Sequence, residues 1–354
     1  MKVELVSRKT GSLRIYTAYC EEGETIYEAA EKAHIKLPIS CRNGVCHVCR
    51  ASLKSGAVLT GTQKIFVKGA DHHENETEIM LCKTWPESDC TVEIEIIYGP
   101  GELPLKKVAC QVLNVAVIKG HVYQVELQMP AGKSPEFYAG QYLALNFADR
   151  EEPSFFSIAS RPGLRTLTLH IQADPHLQTA LDIISILQTR MQHKETVSVS
   201  LPYGVACLES LPNKPLILIA AGTGFAQMKA IVEHLQFLNF PHEVSLYWGV
   251  RKSEDLYMDM LASTWEKGHK NFFYHSIIAD LESALETETG KNIEHHNQLS
   301  DAVLKDHTNL HSSMVFVSGS PRLVFATRAA LMEQGLPANQ FFSDVLESEA
   351  CADD

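Results

Sequence analysis

The chain is expected to fold as a multidomain α+β and α/β protein: a small mixed domain, then an antiparallel β-barrel, then a doubly wound parallel-sheet domain. Three observations carry this. Strand patterns surround one helical pattern in residues 1–98; short strand patterns punctuated by glycine and proline fill residues 106–210; continuous apolar runs alternate with helical patterns in residues 211–354. With 354 residues, 45 % of them apolar, the chain is long enough to bury two or three cores.

In the first unit, "TIYEAAEKAHIKL" spaces Thr25 and Glu28 as a capping box, and Ala29, Ala30, Ala33 and Leu37 come after it near the helical period. "VELVS", "LRIYTAY" and "CTVEIEIIY" alternate apolar with polar residues, as half-buried strands do. "GPGELPL", residues 99–105, carries two prolines and two glycines and reads as a linker. The barrel strands are expected in "ACQVLNVAVI", "HVYQVELQM", "QYLALNF", "SFFSIAS", "RTLTLHIQA" and "ETVSVSLP", with one helix in "HLQTALDIISILQTRM". In the third unit "PLILIA", "EVSLYWGV", "NFFYHSII" and "SMVFVSG" read as buried parallel strands, separated by helical patterns such as "FAQMKAIVEHLQFL" and "PRLVFATRAALMEQG".

A formal charge of −12 with scattered basic residues disfavours a nucleic-acid partner. No run approaches the roughly 20 apolar residues of a membrane span, and "MKVELVSRKTG" lacks the apolar core of a signal peptide, so a cytoplasmic location is expected. Nine cysteines in such a chain speak against a disulfide framework and for metal binding by any clustered set.

One set is clustered. Cys41, Cys46 and Cys49 stand in the order C-x4-C-x2-C, and Cys82 comes 33 residues later. That spacing is the one by which four thiolates hold a [2Fe-2S] cluster in a plant-type site, whereas zinc favours two C-x2-C pairs or paired histidines. Gly44 supplies the loop with a residue tolerant of positive φ. A second signal is "LILIAAGTGFAQMKAIVEHL", where a buried strand runs through Gly222, Thr223 and Gly224 into a helix: glycines admit a diphosphate and the helix N-terminus attracts it. "LYWGVRKSEDLY" and "VFVSGSPRLVF" repeat the strand–glycine–helix order, which sets all three loops along one carboxyl edge.

On these motifs, residues 1–98 resemble a plant-type ferredoxin domain, and the remainder resembles the ferredoxin-NADP reductase superfamily, most closely the dioxygenase reductase components and CDP-6-deoxy-sugar reductases. The resemblance implies a β-grasp ferredoxin fold, a flavin-type barrel and an NAD(P)-binding domain. It implies that NADH or NADPH reduces FAD, which passes electrons singly to the cluster and on to a redox partner such as an oxygenase component. Gly222, Thr223 and Gly224 would then line the diphosphate and nicotinamide ribose, Gly319 and Pro321 would match a later C-G-x-P turn, and Arg251 would be either a ribose or phosphate contact or a surface arginine.

The flavin side departs from the family pattern. Arg-x-Tyr-Ser is here Ser154-Phe155-Phe156-Ser157, so the serine expected near the reactive ring nitrogen and the aromatic face persist while the arginine for the diphosphate is lost. Phe156, Ser157, Ile158, Ala159 and Ser160 are the expected flavin segment, with His170 a further candidate. Gly-x-x-Ser is absent from the next helix, where Thr179 offers one hydroxyl; Ser318 replaces the cysteine facing the nicotinamide; Leu346 stands where a near-terminal aromatic is usual. FAD is therefore expected to be weakly held or exchangeable. In the ferredoxin loop His47 replaces a glycine, either tuning the cluster potential or pointing to solvent.

Three readings compete: an NAD(P)H-dependent electron-transfer reductase with a weakly held flavin, a free-flavin reductase with an accessory cluster, and a non-catalytic redox-sensing or scaffold descendant. The pairs His72–His73 and His295–His296 read as solvated surface. Cys20, Cys90, Cys110 and Cys207 read as core fillers and Cys351 as a free tail thiol. Ser157 lacks the Gly-x-Ser-x-Gly elbow of a hydrolase nucleophile.

Overall fold

A computed structural model describes residues 1–7, 14–68, 77–99, 101–278 and 290–346, excluding the side chains of 290–297, and the chain divides into two compact units between Pro104 and Leu105. The histidine pairs, Cys351 and the acidic tail lie outside these residues or these side chains.

The first unit is a mixed sheet with one helix. Its elements are β1 (Lys2–Ser7), β2 (Arg14–Tyr19), α1 (Ile26–Lys32), β3 (Arg50–Thr60), β4 (Gln63–Val67), β5 (Thr77–Met80), β6 (Thr84–Pro86) and β7 (Cys90–Glu93). The sheet runs β2-β1-β7-β3-β4, with β5 and β6 also paired to β3 and only β1–β7 parallel. Alternation puts Val3, Leu5, Leu53 and Val92 on one face, where they meet Ile26, Ala29 and Ala30 of the helix.

The capping box forms: Glu28 N–H donates to Thr25 Oγ1 at 3.2 Å, and Thr25 N–H donates to a Glu28 carboxylate oxygen at 2.9 Å. The helix stops before Leu37 because His34 is left-handed, φ 57°, and Ile35 N–H bonds back to the Ala30 carbonyl. Strands β3 to β6 were not expected, and the strand read in "CTVEIEIIY" ends at Glu93. Glu102, in the expected linker, is tied to the first unit through Arg14, the Tyr16 hydroxyl and Gly99 N–H.

In the second unit β8 (Lys106–Lys119), β9 (Val122–Gln128), β10 (Tyr142–Asn146), β11 (Ser154–Ser157), β12 (Thr166–Gln172), α2 (Gln178–Gln192) and β13 (Thr196–Tyr203) come first. The order β11-β10-β13-β8-β9-β12 is antiparallel throughout. An Ile158–Leu169 bridge and the Ala159 N–H to Thr168 carbonyl bond, 2.7 Å, join its two ends into a barrel. Ile183, Ile184 and Leu187 of α2 complete its core.

The chain continues with β14 (Leu216–Ala221), α3 (Phe225–Phe237), β15 (Val244–Val250), α4 (Asp259–Gly268), β16 (Phe272–Ile278), α5 (Gly290–Asp306), β17 (Met314–Ser318), α6 (Pro321–Glu333) and β18 (Phe341–Phe342). The sheet is parallel in the order β16-β15-β14-β17-β18. Leu218, Leu246 and Trp248 face α3 and α4, while Ile217, Ile219, Tyr247 and Val317 face α5 and α6, which is the doubly wound arrangement expected. The direction of winding reverses between β14 and β17, and that switch point opens a crevice. Among the described residues no helix is long and apolar enough to cross a membrane.

Candidate functional site

The cysteine loop links α1 to β3. Arg42, Gly44 and His47 all adopt positive φ, at 56°, 85° and 57°, so the chain curls and its amides turn inward. The Cys46 thiol first, and then the amides of Asn43, Cys46 and Val45, favour the Cys41 thiolate and draw its pKa down to about 6; Cys46 N–H lies 3.4 Å from Cys41 Sγ. Cys82, brought in by the turn after β5, lies 3.3 Å from Cys49 Sγ. Burial first, and then Cys49, push the Cys82 thiol up to about 11, while the Gly44 amide acts in the opposite sense.

The four thiols thus stand as two pairs, Cys41 with Cys46 and Cys49 with Cys82. Among the described residues no three Cys, His, Asp or Glu side chains converge on one ion. Two pairs beneath inward-turned amides fit two irons taking two thiolates each, and do not fit a single zinc ion. The four remaining described cysteines, Cys20, Cys90, Cys110 and Cys207, are buried, as expected of core fillers. The His47 side chain is 63 % exposed, with Nδ1 3.7 Å from Glu78 Oε1.

In the second unit, a crevice of about 900 Å³ opens at the carboxyl edge of the parallel sheet. Gly222, Thr223 and Arg251 line it, together with Ser320, Arg322 and Tyr257. Gly222 has φ 53° and nothing within 4 Å of where a Cβ would stand, so its backbone is open to a ligand. Gly224 is a glycine for a different reason: a Cβ there would lie 2.4 Å from the Ser318 carbonyl. At Gly319 a Cβ would lie 2.6 Å from Leu323. These two glycines and Ser318 hold the first and last turns together, and Pro321 begins α6 behind a Ser320 N-cap.

Two residues that the sequence reading missed fix the Gly222 turn. Trp248 Nε1 donates to the Gly222 carbonyl at 2.9 Å, and Phe225 stacks on Trp248 with centroids 3.9 Å apart. The only advance signal was a tryptophan next to the glycine near the end of a buried strand.

The expected flavin-side residues lie on the barrel strands β11 and β12, the turn after β11, and α2. Ile158 and Ala159 are fully buried, and the Ser160 hydroxyl donates to the Thr166 carbonyl and accepts from Thr168 N–H. These three form the barrel wall, where the Ala159 N–H and the Ser160 hydroxyl serve the β11–β12 closure. Phe156 packs on the barrel core, while Phe155, 51 % exposed, meets Tyr142 and Tyr203 edge-on at 5.7 and 5.4 Å. Ser157, opposite Tyr142 in the ladder, shares the outer face with Phe155.

His170, on β12, points into the interior of the second unit. It is 5 % exposed and shares a 3.1 Å hydrogen bond through Nδ1 with the Tyr257 hydroxyl. Burial, with Lys229 nearby, lowers its pKa to about 3, so the ring is neutral, and burial keeps Tyr257 protonated. Thr179 is exposed at the start of α2, whose N-cap Leu177 provides no side-chain acceptor. Phe156, Ser157 and Thr179 do not line the crevice.

Barrel and parallel sheet are locked by Gln227 and Asp344, also missed. Gln227 Nε2 donates to the carbonyls of Gly140 and Ala206 and to Asp344 Oδ2, and Asp344 Oδ1 accepts from Val205 and Ala206 N–H. Leu346, two residues on, packs against the core between the sheet and α5 and α6.

Residues 14–87 match the family of 2Fe-2S iron-sulfur cluster binding domains, and residues 218–329 match the oxidoreductase NAD-binding domain. The chain is 29 % identical to the terephthalate 1,2-dioxygenase reductase component 1 of Comamonas sp, over 92 % of this chain and 93 % of that protein. It is 28 % identical to the CDP-6-deoxy-L-threo-D-glycero-4-hexulose-3-dehydrase reductase of Yersinia pestis, over 90 % and 92 %. Its fold is that of an Amycolatopsis cytochrome P450 reductase, with TM-score 0.59 and 22 % identity over 96 % of this chain and 98 % of the other. The chain thus joins a 2Fe-2S iron-sulfur cluster binding domain to an oxidoreductase NAD-binding domain, and along nearly its whole length it is similar to reductase components.

Proposed function

We propose that the protein draws electrons from NAD(P)H and delivers them singly, from its ferredoxin domain, to an oxygenase component or a similar acceptor protein. The observation that carries this reading is the presence in one chain of two close thiol pairs and of an open glycine turn at the switch point of a parallel sheet. In this reading Cys41, Cys46, Cys49 and Cys82 hold the irons. Gly222 and Thr223 take the nucleotide diphosphate, with backbone amides and the dipole of α3 favouring its charge. Ser318 lies on the nicotinamide side and Ser157 offers a hydroxyl to the flavin. A bound flavin supplies the conversion between a two-electron donor and a one-electron acceptor.

Ser154 and the exposed Thr179 leave the flavin diphosphate without a guanidinium, so these residues suit an exchangeable flavin. Free thiols throughout the described residues suit a cytoplasmic setting. The test is absorbance and metal analysis on protein purified without air. The expected result is about two irons per chain, with cluster bands that NADH or NADPH bleaches once FAD or FMN is present. Iron-free protein, or iron-bearing protein inert to both nucleotides with either flavin added, would remove the proposal.

A further inference from the structure

The crevice at the parallel-sheet edge is lined by three cations, Lys119, Arg251 and Arg322, and three carboxylates, Asp174, Glu254 and Asp255. Arg251 directly follows β15, and Arg322 is the second residue of α6, across the Gly222 turn from it; both are exposed on the lining. Neither guanidinium has an ion pair or hydrogen bond among the described residues.

The carboxylates on the same lining are engaged. Asp255 accepts from Lys252 N–H at 3.2 Å, as the cap of its own turn. Asp174 accepts from His176 N–H at 2.9 Å. Glu254 lies 3.8 Å from the Lys252 ammonium. Lys119 Nζ donates to the Leu256 carbonyl, so the charged groups of the lining that have no partner among the described residues are the two guanidiniums, planar forks that suit phosphate oxygens.

Position separates the two arginines. In doubly wound sheets the residue at the end of the second strand meets the adenosine ribose: an acid there accepts from a 2′-hydroxyl, and an arginine accommodates a 2′-phosphate. Strand β15 is the second strand of this sheet, and Arg251 comes directly after its Gly249-Val250 end. Arg322 lies on the far side of the Gly222 turn, beside the N-terminal amides of α6, where a phosphate of the diphosphate would be received.

We propose that Arg251 selects the 2′-phosphate of NADPH, so that the chain prefers NADPH to NADH, while Arg322 adds affinity common to both. This rests on the reading of the crevice as the dinucleotide site. With full-length protein, NADP+ is expected to bind about 10- to 100-fold more tightly than NAD+, the factor one charge-assisted contact provides. The preference should shrink as salt rises. Arg251→Ala should collapse the NADP+ to NAD+ affinity ratio by at least about tenfold, whereas Arg322→Ala should weaken both nucleotides by similar factors and leave the ratio in place. Calorimetry with NADP+, NAD+ and 2′,5′-ADP reads this without turnover. Tighter binding of NAD+, or equal losses for both nucleotides in Arg251→Ala, overturns the proposal while the dinucleotide site stands. Absence of binding by all three probes overturns both.

Discussion

The indole of Trp248 donates to the Gly222 carbonyl at 2.9 Å, so a side chain from β15 holds the backbone turn at the end of β14. The donor end is in the core, for Trp248 is fully buried and stacked on Phe225, while the acceptor end lies at the crevice. An open glycine turn with φ 53° is stiffened from behind and free in front.

Trp248→Phe deletes this donor and a ring's worth of packing. It should raise the KM for the reduced nucleotide about three- to tenfold, as loss of one net hydrogen bond does. Stability should fall by about 1–3 kcal/mol. Steady-state kinetics and urea unfolding read the two effects; a lower stability with unchanged KM would show that the indole supports the core but not the turn.

The two turn glycines should respond differently. Gly222→Ala meets open space and bears only the left-handed backbone cost, about 1–2 kcal/mol. Gly224→Ala drives a Cβ against the Ser318 carbonyl, which cannot rotate away, so it should destabilise by more and separate the first and last turns. Thermal unfolding of the two variants side by side tests the order.

Cys82→Ser removes one ligand from the Cys49–Cys82 pair and should abolish the cluster chromophore and most of the iron. Cys90, a buried thiol pushed up to about 12 by burial and the neighbouring Cys20 and Asp89, has no such role. Cys90→Ala should keep colour and iron at a stability loss of about 1 kcal/mol. Iron analysis and visible absorbance of both variants separate ligand from filler.

Ser154→Arg restores a fork to the edge of β11. FAD should then be retained roughly 10- to 100-fold more tightly, with FMN, which lacks the diphosphate, gaining less. Equal FAD dissociation constants for variant and parent in a fluorescence titration would place the diphosphate elsewhere.

His170 should make the fold acid-sensitive. Its folded pKa lies near 3 against an ordinary 6.5, so between those values the unfolded chain binds the extra proton and stability falls as pH drops. The slope from this residue is at most about 1.4 kcal/mol per pH unit. Urea midpoints at pH 7 and pH 5 should differ less in His170→Gln than in the parent; an identical pH dependence would show that the ring titrates normally.

The sequence by itself determined whatever depends on neighbours along the chain. The Thr25–Glu28 box starts α1, the C-x4-C-x2-C spacing with Cys82 picks four of the nine cysteines, and apolar runs separated by helical periods mark the doubly wound sheet. Local propensity, side-chain period and ligand spacing are short-range properties, so they are readable in order. Tertiary structure alone decided that Phe155 rather than Phe156 faces outward and that Ile158 to Ser160 close the barrel. It also decided that His170 meets Tyr257 across 87 residues and Gln227 meets Asp344 across 117. Those outcomes depend on which surfaces exclude water together, and packing between segments far apart in the chain leaves no periodic trace within either of them.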